Sequence, residues 1–399
     1  MNQMTTIGER AGVWSAPGRA NLMGEHTDYN QGLVLPFAIA QSVTVAAVRR
    51  DDGMLVLRSA QAPAESAAGA LDSLAPGTVT GWAAYPAGVA WALRDAGYPI
   101  PGATIDITSD VPVGAGLSSS AALECATALA LTGLAGRCVA RRELVEIARH
   151  AENDFIGVPS GIMDQSASLL CEAGHALLLD CGTLEISQVP FDPAAADVGL
   201  LVVDTRAEHT HAGGDYARRR SECEEAARQL GVPFLGCLTD AADAARLADR
   251  ALRGRARHVI TDNARVLAAV DLLRSASGDP DAYRKIGALL SEAHRSLRDD
   301  FEVSWPQADV TVDAAIAAGA LGARMIGGGF GGSVLALVPA TADSDVRAAI
   351  ADAYARRSWA APAFIETVPS GGASRADPGH DRQGSPDSDH DRADRLHAP

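Results

Sequence analysis

Positive charge is scarce in this sequence of 399 residues, and lysine is nearly absent. Lysine and arginine together number 34 against 50 aspartates and glutamates, which gives a formal net charge of −16, and Lys285 is the single lysine. Nucleic acids and anionic membrane surfaces require a concentrated basic face on the proteins that bind them. The composition therefore argues against nucleic acid or a membrane as the main partner. With 47% hydrophobic residues, the chain can nevertheless bury a sizeable core.

Cysteine is also sparse, and its spacing matches neither a metal site nor a disulfide framework. The six cysteines include no CxxC pair, and no histidine lies at ligand spacing from any of them. This usage favours reduced, buried thiols in the cytosol. Long apolar runs are missing too: Met1–Ser15 has no signal-peptide core, and Ala121–Ala135 is too short for a bilayer and is interrupted by Glu124. The sequence predicts a soluble, cytoplasmic protein.

Helical and strand patterns alternate along the chain. Arg141–Phe155 has an apolar stripe at helical spacing, and Asp281–Arg298 is a second predicted helix. Val198–Asp204 is typical of a buried strand. From Ser370 to Pro399 large apolar residues nearly disappear. This last segment cannot offset the entropy of ordering, so it is predicted to be a disordered tail.

The sharpest chemical signal is the segment VPVGAGLSSSAALE, residues 111–124. A strand, a turn with Gly114 and Gly116, three serines and an alanine-rich helix predict a helix N-terminus whose first amide groups are open to a ligand. Such an end attracts phosphate, and the hydroxyls can add donors or ligate magnesium. The alternative is a plain glycine turn with a serine cap on the helix. The lysine of a P-loop is absent.

The segment APGRANLMGEHTDY, residues 16–29, places several hydrogen-bonding side chains within ten positions of one another. Arg19, Glu25, His26 and Asp28 could hold the hydroxyl groups of a sugar or polyol, or could belong to a solvated, charged loop. A metal site built from Glu25, His26 and Asp28 is the weaker interpretation. Residues this close in sequence do not converge on one ion without a second segment.

Two further segments carry acidic residues and glycines. In residues 150–168, Glu152 lies off the apolar stripe of its helix, and Asp164 follows a Pro-Ser-Gly turn. The pair could supply a metal ligand and a base, or could be ordinary surface and capping acids. Five glycines within residues 327–332 predict a loop that packs closely against a neighbour or approaches a ligand.

In this combination and order, the segments resemble the GHMP kinases and, within them, the galactokinase family. GRANLMGEHTDY (18–29) is similar to the N-terminal signature of that family, and GAGLSSSAA (114–122) to the phosphate loop of the superfamily. GIMDQ (161–165) and GGGFGGS (327–333) are similar to its other two motifs. The resemblance spans residues 16–368. It implies an α+β fold of two domains, 1–190 and 191–369, with the active site in the cleft between them and the tail at 370–399.

The resemblance also implies an activity, the ATP-dependent phosphorylation of the C1 hydroxyl of α-D-galactose to galactose 1-phosphate, which begins the Leloir pathway. Asp164 would be the base or the orienting group at that hydroxyl, with Arg19 beside it, and Ser120 and Glu152 would hold Mg²⁺. The implied sugar ligands are Glu25, His26, Thr27, Asp28, Gly161 and Tyr216. The implied nucleotide ligands are Gly114, Ala115, Gly116, Leu117, Ser118, Ser119, Ser120 and Ser59.

Three other functions match parts of the same pattern. A GHMP kinase for another sugar, such as N-acetylgalactosamine, arabinose or galacturonate, would differ at a few side chains. A galactose sensor without turnover would share the sugar motif, but sensors of that kind have a damaged phosphate loop, and Ser118–Ala122 is intact here. A structural or interaction module would leave the combination of Arg19, Ser120 and Asp164 unexplained. The expected partners are galactose and ATP, and the expected assembly is a monomer.

Overall fold

Strands and helices are interspersed along the chain, of which the computed structural model describes residues 10–207, 212–276 and 278–376. The first half contains β1 (Ala11–Asn21), β2 (Leu33–Val34), β3 (Pro36–Arg50), β4 (Met54–Ser59), β5 (Ser66–Ala70), α1 (Ala84–Asp95), β6 (Gly102–Ser109), α2 (Ser119–Leu134), α3 (Arg141–His150), α4 (Met163–Leu170), β7 (His175–Asp180) and β8 (Ile186–Pro190). The second half contains β9 (Val198–Asp204), α5 (Ala212–Leu230), α6 (Arg250–Ala276), α7 (Pro280–Asp299), α8 (Pro306–Ala317), β10 (Gly322–Ile326), β11 (Ser333–Pro339), α9 (Asp343–Ala355), β12 (Ala363–Thr367) and β13 (Ser374–Arg375).

Three sheets organise the described strands. The largest has the order β13-β1-β3-β6-β4-β5, in which only β4 and β6 run parallel, and a smaller sheet has the order β2-β7-β8. The antiparallel sheet β10-β11-β9-β12 is built from strands that follow Val198. Helices and strands are therefore mixed as an α+β fold predicts. The boundary at residues 190/191 stays a prediction.

Helix α2 is fixed against the largest sheet, and this position determines where the phosphate loop lies. The helix packs on β1 and β3, whose buried side chains Val43 and Val45 alternate with more exposed neighbours. Close approach requires a glycine at position 133, because a Cβ there would lie 2.6 Å from the ring of Trp14. This contact holds the C-terminal end of α2 next to β1, and the Arg19 amide, which donates to the Leu117 carbonyl at 3.1 Å, ties the loop before α2 to the same strand.

The predicted helix Arg141–Phe155 is interrupted. Its α-helical part, α3, ends at His150, and Ala151–Ile156 continues as a π-helical turn. Such turns insert an extra residue into the helical repeat and are frequent at functional sites. Glu152 lies in this turn and is 7% exposed. A single helical period could not predict that placement.

Helix α6 is absent from the sequence prediction, whereas the strand β9 and the helix α7 agree with it. The reason is the polarity of the buried face of α6. Arg255, His258, Asp262 and Asn263 are all buried on this helix, so its apolar residues alone do not outline the buried stripe.

The predicted start of the disordered tail at residue 370 is wrong. The Ser370 amide donates to the Ala38 carbonyl at 2.8 Å, the Ala373 amide donates to the Ser168 carbonyl at 2.7 Å, and β13 pairs with β1. Backbone hydrogen bonds hold this segment, and apolar periodicity does not detect them. Residues 377–399 of the predicted tail lie outside the described residues. Among the helices in the described ranges, none is long and apolar enough to cross a bilayer.

Candidate active site

A cavity of about 470 Å³ lies where three of the four predicted motifs meet. Its walls come from distant parts of the chain: Arg19, Glu25, His26, Asp28, Glu152, Gly157, Val158, Pro159, Ser160, Gly161, Met163, Asp164, Tyr216, Gly327, Gly328 and Gly329. Among these lining residues, one arginine faces four carboxylates. Carboxylate oxygens accept hydrogen bonds, so the cavity suits a neutral ligand rich in hydroxyl donors better than an anionic one.

A bulge in β1 directs Arg19 toward Asp164. The pairing of β1 with β3 shifts between Pro17 and Arg19. The Arg19 guanidinium then donates from Nε and Nη2 to the two carboxylate oxygens of Asp164 at 2.8 and 2.9 Å. Its third nitrogen, Nη1, donates to the Gly116 carbonyl at 2.7 Å. This two-point contact fixes the Asp164 carboxylate at the cavity wall and connects it to the phosphate loop.

Ser118 adds a second connection between the phosphate loop and Asp164. Its backbone is left-handed, with φ of +56°, and its hydroxyl donates to Asp164 Oδ2 instead of capping α2. The serine cap considered as an alternative from the sequence is therefore wrong for Ser118. Helix α2 begins at Ser119, and Gly114 and Gly116 before it have φ of +77° and +71°. This helix N-terminus keeps the character of an anion site.

The C-terminal glycine loop, residues 327–332, packs against both other motifs. The Ser333 hydroxyl donates to the Ala115 carbonyl at 2.7 Å. A Cβ on Gly116 would lie 3.3 Å from the Ile326 carbonyl oxygen, so the two backbones nearly touch. On its other side, the Gly327 amide donates to Glu25 at 2.7 Å. The close packing predicted for these glycines is confirmed.

Glu25 is held as a buried anion in the cavity wall. It is 2% exposed, and its carboxylate accepts hydrogen bonds from Gly327 and, at 3.0 Å, from the Asn21 amide. The guanidinium of Arg324, itself fully buried, lies 2.9 Å from the same carboxylate. Three partners from two halves of the chain thus fix its orientation.

His26 presents a neutral imidazole to the cavity. Nδ1 lies 2.9 Å from the Tyr29 hydroxyl, and Nε2 has no hydrogen-bond partner among the described residues. Burial lowers the pKa of His26 well below its usual value, with nearby positive groups adding to the effect. The Tyr216 ring lies 5.7 Å from the imidazole, centroid to centroid. Together they form an aromatic part of the cavity wall.

Comparison with known proteins agrees with this geometry. The family model described as "Galactokinase galactose-binding signature" matches residues 4–49, "GHMP kinases N terminal domain" matches 84–172, and "GHMP kinases C terminal" matches 272–356. The galactokinase of Streptomyces coelicolor is 50% identical over 383 residues, which cover 93% of this chain and 98% of that protein. The galactokinase of Mycobacterium tuberculosis is 46% identical over 363 residues, covering 90% and 98% respectively. The chain belongs to the galactokinase family.

Solved structures support this assignment to the galactokinase family. The crystal structure of Lactococcus lactis galactokinase complexed with galactose matches with a TM-score of 0.86 and 33% sequence identity, over 92% of this chain and 96% of that one. Methanococcus jannaschii mevalonate kinase matches with a TM-score of 0.65 at 16% identity, over 90% and 98% of the chains. The second similarity shows the shared GHMP kinase fold alone. The two-domain GHMP kinase fold expected from the sequence is confirmed.

Several residues expected from the galactokinase resemblance are not among the lining residues of the cavity. The phosphate-loop residues 114–120 reach it through the contact of Ser118 with Asp164, and Thr27 and Ser59 lie away from it. Thr27 is fully buried, and its hydroxyl donates to the carbonyls of Gly24 and Leu33 at 2.9 and 2.7 Å. Its hydroxyl is thus committed to the turn that carries Glu25, not turned toward a sugar. Ser59 ends β4 and contacts Gln61, so its role toward the nucleotide stays a prediction.

Sequence reasoning missed a pair of buried residues behind the cavity. Gln165 donates from one amide nitrogen to Glu152 at 2.8 Å and to Glu124 at 3.1 Å. Glu124 is fully buried on α2, and burial raises the pKa of its carboxyl well above the usual value, helped by the nearby Glu152. A lone carboxylate inside the apolar stretch Ala121–Ala135 was the available signal. By its pattern alone, this carboxylate only interrupts an apolar stretch.

The charged form of Asp28 is destabilised at its position in the cavity wall. Burial raises the pKa of its carboxyl from 3.8 to about 6, and the nearby Asp164 adds to the rise. Gly161 lies directly against this carboxylate, because a Cβ at position 161 would overlap Asp28 Oδ2 and Cγ and would lie 3.1 Å from Asp28 Cβ. Because Gly161 has no side chain, the Asp28 carboxylate can occupy this position.

Asp28→Asn is expected to stabilise the ligand-free protein at pH 7.5. The pKa of Asp28 is raised in the folded protein above its unfolded value, so the carboxyl opposes folding increasingly as the pH rises above 3.8, and the effect is complete above about 6. A shift from 3.8 to about 6 corresponds to about 3 kcal/mol at most, or a rise of a few degrees in Tm. At pH 5 the gain should fall to about half, because the folded carboxyl is then mostly protonated. Thermal unfolding at both pH values measures this, and an equal gain at both would refute the electrostatic explanation.

Proposed function

We propose that the protein transfers the γ-phosphoryl group of ATP to the C1 hydroxyl of α-D-galactose, giving galactose 1-phosphate and ADP. The observation that carries this proposal is the cluster of Arg19, Ser118 and Asp164. It connects a cavity lined by hydrogen-bond acceptors to a glycine-rich helix N-terminus. Phosphoryl transfer requires mainly this kind of positioning together with neutralisation of charge.

Each half of the site has a separate task in the proposed reaction. The sugar hydroxyls would donate to Glu25 and Asp28 and contact His26, Gly161 and Tyr216. The triphosphate would lie on the backbone of the phosphate loop, residues 114–120, with Ser59 near the nucleotide. The oxygen of the C1 hydroxyl attacks the γ-phosphorus, the bond to the β-phosphate oxygen breaks, and the hydroxyl proton passes to Asp164 or is oriented by it until it leaves.

Magnesium belongs to the same proposal, with Ser120 and Glu152 as its protein ligands. Hydroxyl and carboxylate oxygens are ligands that Mg²⁺ prefers, and it commonly takes only one or two carboxylates together with substrate phosphates. Glu152 faces the buried Glu124 across the shared Gln165 amide, and one Glu124 oxygen has no hydrogen-bond partner among the described residues. A cation near these carboxylates would relieve their repulsion.

The residues present thus match a magnesium ion completed by ATP. Within the described part of the chain, no group of three or more His, Cys, Asp or Glu side chains could hold a metal by itself. When bound, the ion would neutralise charge on the phosphates. Ser120 would contribute its hydroxyl from the first turn of α2, and Glu152 its carboxylate from the π-helical turn.

Glu152→Gln is expected to raise the Mg²⁺ concentration needed for half-maximal activity by about fivefold or more, because the neutral amide is a weaker ligand. The galactose KM should change by less than about twofold, since the proposal gives Glu152 a contact with the ion and none with the sugar. Glu146→Gln is the matched control, because Glu146 is a half-exposed carboxylate of α3 paired with Arg149. An unchanged Mg²⁺ requirement in Glu152→Gln would remove Glu152 from the metal site.

Sugar selectivity provides the test of the proposed activity. Glucose differs from galactose only in configuration at C4, and a buried acceptor left without its hydroxyl costs about 1–3 kcal/mol, which is about 5–150-fold in rate. ADP release should therefore favour galactose over glucose by at least that margin in kcat/KM. Galacturonate should be a poor substrate, because its carboxylate would be repelled by the four carboxylates that line the cavity.

Product analysis and two possible outcomes of the ADP-release assay test the proposed activity further. Phosphorus NMR of the product should place the new phosphate on C1. Equal use of glucose and galactose would contradict the assignment to galactose and leave a less selective sugar kinase. ADP release that does not depend on any sugar would contradict transfer to a sugar altogether.

Domain boundaries, location and assembly complete the proposal. We place the N-terminal domain at residues 1–190 and the C-terminal domain at 191–369. All six cysteines are free thiols, which supports a reducing, cytoplasmic location. The working unit is taken to be a monomer, and size-exclusion chromatography with light scattering measures this directly.

A further inference from the structure

The turn that carries Glu25 and His26 has a left-handed backbone on both sides of Glu25. Gly24 has φ of +92° and His26 has φ of +62°, with Glu25 between them. A left-handed conformation at a residue other than glycine is strained and persists only where the surroundings enforce it. Both Glu25 and His26 line the cavity. The groups that enforce this turn therefore control the shape of the sugar site.

Asp262 on α6 binds the amide side of this turn. Its Oδ2 accepts hydrogen bonds from the amides of Gly24 and Glu25 at 3.1 and 3.2 Å. The carboxylate is fully buried, and its other oxygen lies 2.8 Å from the Arg265 guanidinium. A buried carboxylate with two amide donors and one arginine is fixed in place, and removing it would leave those donors without a partner.

His258, one helical turn before Asp262, binds the carbonyl side. Its Nε2 lies 2.9 Å from the Glu25 carbonyl oxygen, and its Nδ1 lies 3.0 Å from the Ser296 hydroxyl of α7. A carbonyl can only accept, so Nε2 carries the proton. Residues four apart lie on one face of a helix, which explains how α6 reaches both sides of Glu25. Neither His258 nor Asp262 is among the residues that line the cavity.

We propose that His258 and Asp262 are positioning residues for sugar recognition. They clamp the Gly24–Glu25 backbone so that Glu25 and His26 face the ligand, although they do not touch it themselves. The inference rests on the proposed function, because it takes the ligand of this cavity to be galactose. It assigns α6 a specific task, the selection of the sugar, and no part in holding the nucleotide.

The first test compares Asp262→Ala and His258→Ala with the wild type. Each should raise the galactose KM by about tenfold or more, which is the loss expected when about 1.4 kcal/mol of binding disappears. The KM for ATP should stay within about twofold, and kcat within about threefold. Asp262→Asn keeps an acceptor oxygen for the two amides and should recover most of the galactose affinity. A general loss of structure would not be rescued in this way.

Leu273→Ala is the matched control. Leu273 is fully buried further along α6, and its truncation should lower Tm by an amount typical of core cavities while leaving the galactose KM unchanged. An unchanged galactose KM in His258→Ala and Asp262→Ala would overturn the inference, as would a parallel rise in the KM for ATP. If Asp262→Ala does not fold, His258→Ala decides alone. Failure of the wild type to use galactose would instead refute the proposed function.

Discussion

Asp164→Ala is expected to lower kcat with galactose by about 10²–10⁴-fold, the usual contribution of a positioned acid or base. Arg19 holds the carboxylate from two nitrogens at 2.8 and 2.9 Å, so its place in the cavity wall is set before any ligand binds. Oδ2 also accepts from Ser118, whereas Oδ1 has the Arg19 Nε as its partner and keeps a lone pair for a sugar hydroxyl. Steady-state ADP release with saturating galactose measures the loss.

Asp164→Asn separates the two roles that Asp164 could have. The amide keeps the size and one acceptor oxygen of the carboxylate, but it cannot take a proton. If Asp164 accepts the proton of the C1 hydroxyl, the kcat of Asp164→Asn should be about as low as that of Asp164→Ala. If Asp164 only orients the hydroxyl, the kcat of Asp164→Asn should be about tenfold or more higher than that of Asp164→Ala.

Two controls accompany this pair of variants. The KM for ATP should stay within about twofold in both. Tm must be recorded as well, because Arg19 is 5% exposed and loses its counter-ion in either variant. Near wild-type turnover in Asp164→Ala would remove Asp164 from the mechanism.

The motifs of this site could be recognised from the sequence because their composition is unusual. Glycine, serine and charged residues interrupt the apolar periodicity at the phosphate loop and at residues 18–29. The motifs do not show which of their residues contact each other in the folded protein. Arg19 and Asp164 are 145 positions apart, and only the bulge in β1 and the start of α4 bring them together. A single sequence contains no direct information on such contacts.

Residues that act from behind the site were missed for a different physical reason. Arg324 lies in the buried strand β10, and its partner Glu25 comes from the opposite end of the chain. Asp262 lies in an arginine-rich helix where an acidic residue looks like an ordinary surface charge. Burial makes these groups important, because an ion pair or carboxylate shielded from water fixes geometry that a solvated one does not. Burial of a polar residue is a tertiary property, and hydrophobic patterns predict it poorly.

Gly161→Ala is expected to raise the galactose KM by about 10–100-fold, although it adds only one methyl group. The new Cβ would overlap the Asp28 carboxylate, so Asp28 must move away from its position in the cavity. A hydrogen bond to a charged group contributes about 1.5–3 kcal/mol, which sets the size of the expected loss. Backbone strain is not the cause, since Gly161 is not among the glycines with positive φ.

A double-mutant cycle distinguishes this steric route from its rivals. If Gly161 acts through Asp28, then Gly161→Ala introduced into Asp28→Ala should raise the galactose KM by less than about threefold, because the displaced carboxylate is already gone. Fully additive effects would mean that the methyl group blocks the sugar directly or shifts the start of α4 and with it Asp164. Gly199→Ala serves as the matched control, because an added Cβ there would come no closer than 3.6 Å to another atom. It should leave both KM values unchanged. We expect the effects of the two substitutions on the galactose KM to be coupled and Gly199→Ala to have no effect. This result would mean that the Asp28 carboxylate binds the sugar and that Gly161 leaves the space this carboxylate needs.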